Sequence, residues 1–244
     1  MVIIDKLSDN NKINTLIFDV DGTITRWKNV EDFLRKSLEE LGVPYTDEAL
    51  KGLYKAMSDR ELHALISSEA DADIYSYLLD LYIPSLKENN VSGKDLKDIM
   101  FEKEARETFI SDDTKSELEI LSKDYKLYVY TNWFTGQAIK KLKRYGLEGY
   151  FENIHSSENT FIKYSKLGFV WLIHEYNLDR DKTIHIGDSE SDVIPSKSAG
   201  LKSIFLDYDI KSSSDITDKK MRLIHSADAS ITEFKDIRRV LTKK

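Results

Sequence analysis

Cysteine is absent from the 244 residues, so no disulfide braces the fold and the chain suits a reducing compartment. No apolar run approaches the roughly 18 residues that a membrane-spanning helix needs. The opening stretch, MVIIDKLSDNNKIN, is broken at Asp5 and Lys6. It has neither the basic start nor the long apolar centre of a secretory signal. A basic excess is also missing. Lys and Arg number 36 against 43 Asp and Glu, a formal charge of −7, which argues against a general nucleic-acid binder and leaves room for a local basic patch. Neither G-x-G-x-x-G nor G-x-x-x-x-G-K-[ST] occurs, which disfavours a nucleotide-binding module. These absences predict a soluble cytoplasmic protein that binds neither nucleic acid nor membrane.

What is present divides into two kinds of pattern. An apolar content of 41% suffices for one substantial core, as a domain with an insertion or as two modest domains. Between residues 29 and 106 nearly every segment has helical spacing, as in VEDFLRKSLEELG, DEALKGLYKAMS and DADIYSYLLDLYIPSLKEN. From about residue 107 strands and helices alternate: KLYVYT, TGQAIKKLKRYG, FENIHS, SKLGFVWLIHEYN, KTIHIG, DVIPSKSAG, KSIFLD and ADASI, closed by TEFKDIRRVLTKK. That alternation predicts an α/β fold, a Rossmann-like parallel sheet with helices on both faces. The sheet would include a first strand at residues 15 to 20. Residues 1–22 and 107–244 would form this discontinuous core, with residues 23–106 a helical cap inserted after the first strand. In the cap, Leu34, Leu38 and Leu41, and Tyr75, Leu78, Leu79 and Tyr82, read as core stripes. The stretch KSSSDITDKK, residues 211 to 220, reads as an exposed loop.

In an open α/β sheet, ligands bind beyond the carboxyl ends of the strands. The first strand runs into FDVDGT, where Asp19 and Asp21 stand two positions apart and so face one crevice together. Like charges held that close imply a cation, a shared proton or compensating salt bridges. At the other strand ends stand Thr131 and Asn132, Ser156 and Ser157, and Gly187 and Asp188, with Asp192 one turn into the following helix. Lys163 follows the Ser-Ser segment. Each has a bland reading: Asp-Gly is a common turn, Thr131 and Asn132 or Asp188 and Asp192 suit helix caps, and a lone lysine is usually solvated. Four such coincidences in order at one rim are less economical than one site.

The motifs DVDGT, YVYTN, ENTFIKYSKLGF and GDSESD, in that order, resemble the haloacid-dehalogenase-like phosphohydrolase superfamily. The resemblance runs from the first strand to about residue 205, and the helical insertion resembles that superfamily's C1-type cap, as in phosphoglycolate phosphatase and β-phosphoglucomutase. It implies a Mg²⁺-dependent phosphatase acting on a small phosphorylated metabolite. Asp19 is the expected nucleophile, forming an aspartyl-phosphate, and Asp21 the acid that protonates the leaving oxygen and then takes a proton from water. Thr131, Lys163 and the amides around Gly22 would hold the phosphoryl oxygens. Asn132 and Arg26 are further substrate-binding candidates. The expected metal set is Asp19, Asp21 through its backbone carbonyl, Asp188 and Asp192, the last orienting a metal-bound water or Lys163.

Tyr164 stands where relatives often carry Pro, which leaves Lys166 as a rival to Lys163, although the spacing from Glu158 and to Phe169 favours Lys163. The dehalogenase branch, as the resemblance implies, lacks the second Asp and the metal, so Asp21 points to phosphoryl transfer. Arg26, Trp27 and Lys28, immediately beyond the catalytic turn, are close enough to the mouth to touch a leaving group, and Arg60 and His63 are weaker candidates. Competing readings are a phosphomutase, a phosphonatase with Lys51 or Lys55 as its Schiff-base lysine, and a non-catalytic phosphoacceptor switch. Sugar phosphate, phosphoglycolate and nucleoside monophosphate remain open as substrates.

Overall fold

The computed structural model describes all residues except 1, 6, 8–12, 27–29, 59–73, 157–160, 162 and 242–244. Trp27, Lys28, Arg60, His63 and Ser157 therefore lie outside the described residues. Chain packing divides the protein into two compact units, Met1–Arg26 with Phe109–Lys244, and Trp27–Thr108.

The first unit is built on a seven-stranded sheet. Its strands are β1 (Val2–Asp5), β2 (Thr15–Phe18), β3 (Lys126–Thr131), β4 (Asn153–Ser156), β5 (Thr183–Gly187), β6 (Lys202–Leu206) and β7 (Ala229–Ile231). The spatial order is β1-β7-β6-β5-β2-β3-β4. All neighbours pair in parallel except β1, which runs antiparallel to β7. The parallel α/β fold expected from the alternation of segments is thus present, and the edge strand β1 is an addition to it. Asp5 and Lys6 interrupt that apolar start before any alternation becomes visible, which hid the strand.

Alternation along the central strands sends their side chains to two separate cores. Leu16 and Phe18 of β2 join Leu127, Val129, Ile184 and Ile186 on one face. That face is covered by α6 (Asp112–Asp124), α7 (Thr135–Arg144) and α11 (Asp236–Leu241) through residues such as Leu118, Leu142 and Ile237. On the other face, Ile17, Tyr128 and Tyr130 pack against Phe169, Leu172 and Ile173 of α8 (Lys166–Glu175). Beside them lie α9 (Glu190–Ser198) and α10 (Asp218–Ser226), packed through Val193, Leu223 and Ile224. Helix α10 corrects the expectation of a loop through residue 220. Thr217 caps its start by accepting from the Lys220 amide at 3.3 Å, and the apolar pair Leu223 and Ile224 lies beyond the polar run that masked it.

The second unit contains α1 (Val30–Glu40), α2 (Asp47–Ser58), α3 (Ile74–Tyr82), α4 (Ser85–Glu88) and α5 (Gly93–Glu107). Leu34, Leu38, Tyr75, Leu78 and Leu79 are buried, while Leu41 and Tyr82 are half-buried. A capping box of Ser92 and Asp95 starts α5. Among the described residues, no helix is long and apolar enough to cross a membrane.

Phe18 couples the sheet to its covering layer. It is fully buried, stacks on Phe234 at 5.7 Å between centroids and meets Phe151 edge-on at 6.4 Å. Phe18→Ala is expected to cost about 3–5 kcal/mol, because the surrounding strands are too constrained to collapse into the space. Urea denaturation should show a lower midpoint at unchanged slope, and a loss below about 1 kcal/mol would mean that this contact does not brace the sheet.

Candidate active site

Parallel register brings the acidic strand ends to one level. Phe18 aligns with Val129 on one side and Ile186 on the other, so Asp19 leaves the sheet beside the ends of β3 and β5. Its amide donates to the Ile186 carbonyl at 2.9 Å, which extends the pairing by one step. Beyond it the chain turns tightly: the Gly22 amide reaches the Thr25 carbonyl at 3.1 Å and the Thr25 amide the Val20 carbonyl at 2.9 Å. Gly22 has φ +88°, and a Cβ there would stand 2.3 Å from Asp188 Oδ2. The turn therefore needs glycine both for its backbone and for the approach of Asp188. Gly187 serves the same purpose one strand over, since a Cβ would lie 2.2 Å from Asp192 Cγ.

Three carboxylates gather here. Asp19, Asp188 and Asp192 each offer an oxygen, all within 4.8 Å of one another. Lys163, almost fully buried, donates from Nζ to Asp19 Oδ1 and, at 2.6 Å, to Asp192 Oδ1. Burial alone would lower the ammonium's pKa, but Asp19 and Asp192 more than offset it and hold Lys163 charged. Asp192 is also the N3 residue of the capping box at the start of α9. Its Oδ2 accepts from the Ser189 amide at 3.0 Å and the Ser189 hydroxyl at 2.5 Å. His185 lies 3.1 Å from Asp192 Oδ1 through Nε2, and burial lowers its pKa, so the neutral ring donates from that nitrogen. Burial would raise the Asp192 carboxyl, yet Lys163 and His185 together pull it below the ordinary range.

Asp19 behaves in the opposite way. Burial pushes its carboxyl up to about 7; Lys163 opposes the rise, and Asp192 and Asp21 add to it. Asp188 is also raised well above the usual carboxylate range, by lost hydration first and then by Asp19 and Asp192. One lysine thus leaves two of the three clustered acids short of compensating positive charge.

The remaining expected residues differ in their surroundings. Thr131 is buried at the end of β3 and accepts from the Trp133 amide at 3.0 Å. Asn132 organises the lysine loop, accepting from the Lys163 amide at 2.8 Å and donating to Ser191 at 3.4 Å. Between the rival lysines, Lys163 reaches the cluster, whereas Lys166 is exposed at the start of α8. Ser156 is buried and shares a 2.6 Å hydrogen bond with Thr135. Arg26 is exposed, its guanidinium 4.3 Å above the Tyr208 ring, and the Tyr208 hydroxyl donates to the Thr23 carbonyl at 2.8 Å. Lys51 and Lys55 are exposed on α2.

Asp21 points elsewhere. Its Oδ1 accepts from Thr25 at 3.1 Å and from Lys141 Nζ at 2.6 Å. Neither Lys141 nor Tyr208 was found by sequence reasoning. Tyr208 lies outside every motif. Lys141 left a signal, because with Ala138 and Leu142 it falls on the inward stripe of α7, where a solvated lysine does not belong.

Comparison with known proteins identifies the family. The sequence pattern of the haloacid dehalogenase-like hydrolases matches residues 16–206. A Bacillus subtilis (strain 168) protein called HAD-hydrolase YfnB is 26% identical over 209 residues, covering 82% of this chain and 86% of its own. A phosphoglycolate phosphatase of Vibrio cholerae is 24% identical over 204 residues, covering 80% of this chain and 85% of its own. Among solved structures, magnesium-bound YfnB superposes with a TM-score of 0.67 at 22% identity, over 95% of this chain and 99% of that one. A 2-haloacid dehalogenase from Pseudomonas syringae superposes with a TM-score of 0.67 at 22% identity, over 94% and 98%. The structural likenesses establish the fold, and the sequence match covers the strand ends that carry the acids: the chain belongs to the haloacid dehalogenase-like hydrolase family.

Proposed function

We propose that the chain is a Mg²⁺-dependent phosphatase that hydrolyses a small phosphomonoester through an aspartyl-phosphate on Asp19. The observation that carries this reading is the cluster of Asp19, Asp188 and Asp192 around one buried lysine. The helical insertion expected at residues 23–106, most of which falls in the second compact unit, is read as its C1-type cap.

The donor set fits a hard divalent cation. Oxygen ligands at this spacing suit it, and the raised carboxyls of Asp19 and Asp188 mark acids whose charged forms lack compensation. Asp19, Asp188 and the Asp21 backbone carbonyl would hold it. Both Asp192 oxygens are already engaged by Lys163, His185 and Ser189, so its part is to hold the lysine. When bound, the ion supplies positive charge that allows one anion to attack another.

The chain's own residues then divide the work. Lys163 and Thr131 hold phosphoryl oxygens, with the amides of the Gly22 turn completing the contacts. An Asp19 oxygen forms a bond to phosphorus as the ester P–O bond breaks, and the departing oxygen takes a proton from Asp21. Asp21 next removes a proton from water, whose oxygen attacks phosphorus, and the Asp19–phosphorus bond breaks to release phosphate. A dehalogenase reading accounts less well for Asp21, which has no task in displacing a halide.

Replacing Asp19 by Asn keeps the shape and removes the nucleophile. Phosphate release from a panel of metabolite phosphates should fall by at least about 10³-fold, and retained turnover would refute the assignment.

The cation makes a separate prediction. Asp19 titrates near 3.8 when unfolded and at about 7 in the folded, metal-free chain. The folded state then holds its proton more tightly, so the Asp19 contribution to metal-free stability is lost as pH rises from about 4 to about 7. Mg²⁺ binds the ionised form, so its stabilising effect on Tm should be larger at about pH 7.5 than at about pH 5.5. An equal shift at both pH values would contradict a site built on Asp19.

A further inference from the structure

Helix α7 carries four cations in its last two turns, Lys140, Lys141, Lys143 and Arg144. Three are exposed, whereas the Lys141 side chain has no accessible surface. An ammonium withdrawn from water is tolerated only with a closely placed counter-charge. Asp21 supplies negative charge at 2.6 Å, and its own side chain is 11% exposed. A leucine or methionine at position 141 would satisfy the apolar stripe of Ala138 and Leu142 without that cost, so packing does not account for the lysine.

The pair is also directional. Lys141 and Thr25 both bind Oδ1 of Asp21, at 2.6 and 3.1 Å. The Thr25 hydroxyl is itself 3.2 Å from the Val20 carbonyl, and Thr25 is fully buried. Two donors anchored in different elements, a helix and the catalytic turn, therefore fix one oxygen of the carboxylate and with it the plane of the group. A carboxylate carrying a proton between a leaving oxygen and water must present its other oxygen at a constant angle.

We infer that Lys141 is a positioning residue for Asp21: together with Thr25 it pins Oδ1, so that Oδ2 exchanges the proton with the substrate. The inference rests on the phosphatase reading, in which Asp21 is the acid, and adds a residue from outside the strand-end motifs. It also has a consequence for specificity. Esters of poor leaving groups, such as alkyl alcohols, need the proton at the moment of bond cleavage, whereas a nitrophenolate departs without it. Lys141 should therefore matter most for alkyl phosphates.

The test compares kcat/KM for an alkyl phosphate and for 4-nitrophenyl phosphate, with Mg²⁺, in wild type, Lys141→Met, Lys141→Gln and Lys141→Arg. This constant reports the steps up to phosphorylation of the enzyme, where the acid acts. For Lys141→Met the loss with the alkyl ester should exceed the loss with the nitrophenyl ester by about tenfold or more. Lys141→Arg should recover part of the difference, because it keeps a long cation. If Lys141→Met lacks a cooperative melt, the same ratio is read on Lys141→Gln. Equal losses for the two esters would make Lys141 a structural ion pair and overturn the inference, as would unchanged kinetics for both. Asp19→Asn, run in parallel, separates the two levels: activity surviving there refutes the phosphatase reading itself, whatever the Lys141 ratio.

Discussion

The site depends on one buried ammonium. Lys163 binds Asp19 and Asp192 at once, two acids that come from the end of β2 and the first turn of α9 and would otherwise repel each other in a poorly hydrated pocket. Its loop is held by Asn132, and Asp192 is held by the capping of α9 and by neutral His185. Removing the lysine would leave two buried carboxylates without the cation they share, so the β2, β5 and Lys163 segments are bound together electrostatically as well as by packing. Because the compensation is incomplete, Asp19 and Asp188 keep a demand for positive charge. That residual demand is what the proposed cation would meet.

The sheet's contribution is alignment. Parallel pairing places Asp19, Thr131 and Asp188 within a step or two of one level, from segments more than fifty residues apart in the chain. The two glycines, Gly22 and Gly187, remove the side chains that would keep the neighbouring acids away. Phe18, immediately before Asp19, is locked between aromatic rings, so the position that precedes the acid is among the most constrained in the core.

Local patterns carried much of this in the sequence. FDVDGT and GDSESD each start on the last residue of a strand and continue into its turn, so the turn and the acids are visible in six consecutive letters. Lys163 was harder, because only its spacing from Glu158 and to Phe169 favours it over Lys166; burial beside Asp19 distinguishes them, and burial is set by the fold. Lys141 and Tyr208 act through contacts across the fold, and a residue 120 positions away cannot be paired with Asp21 by spacing. Strand β1 escaped notice because a short antiparallel edge pairing has no pattern of its own, and α10 because its polar first turn resembles a loop.

The central claim is that Asp19 carries the phosphoryl group. The direct measurement is rapid acid quenching during turnover of a phosphomonoester with Mg²⁺, followed by peptide mass spectrometry. The account predicts a hydroxylamine-labile phosphoryl group on Asp19, absent from Asp19→Asn. Turnover with no phosphorylated Asp19, or with the group on another residue, would contradict it.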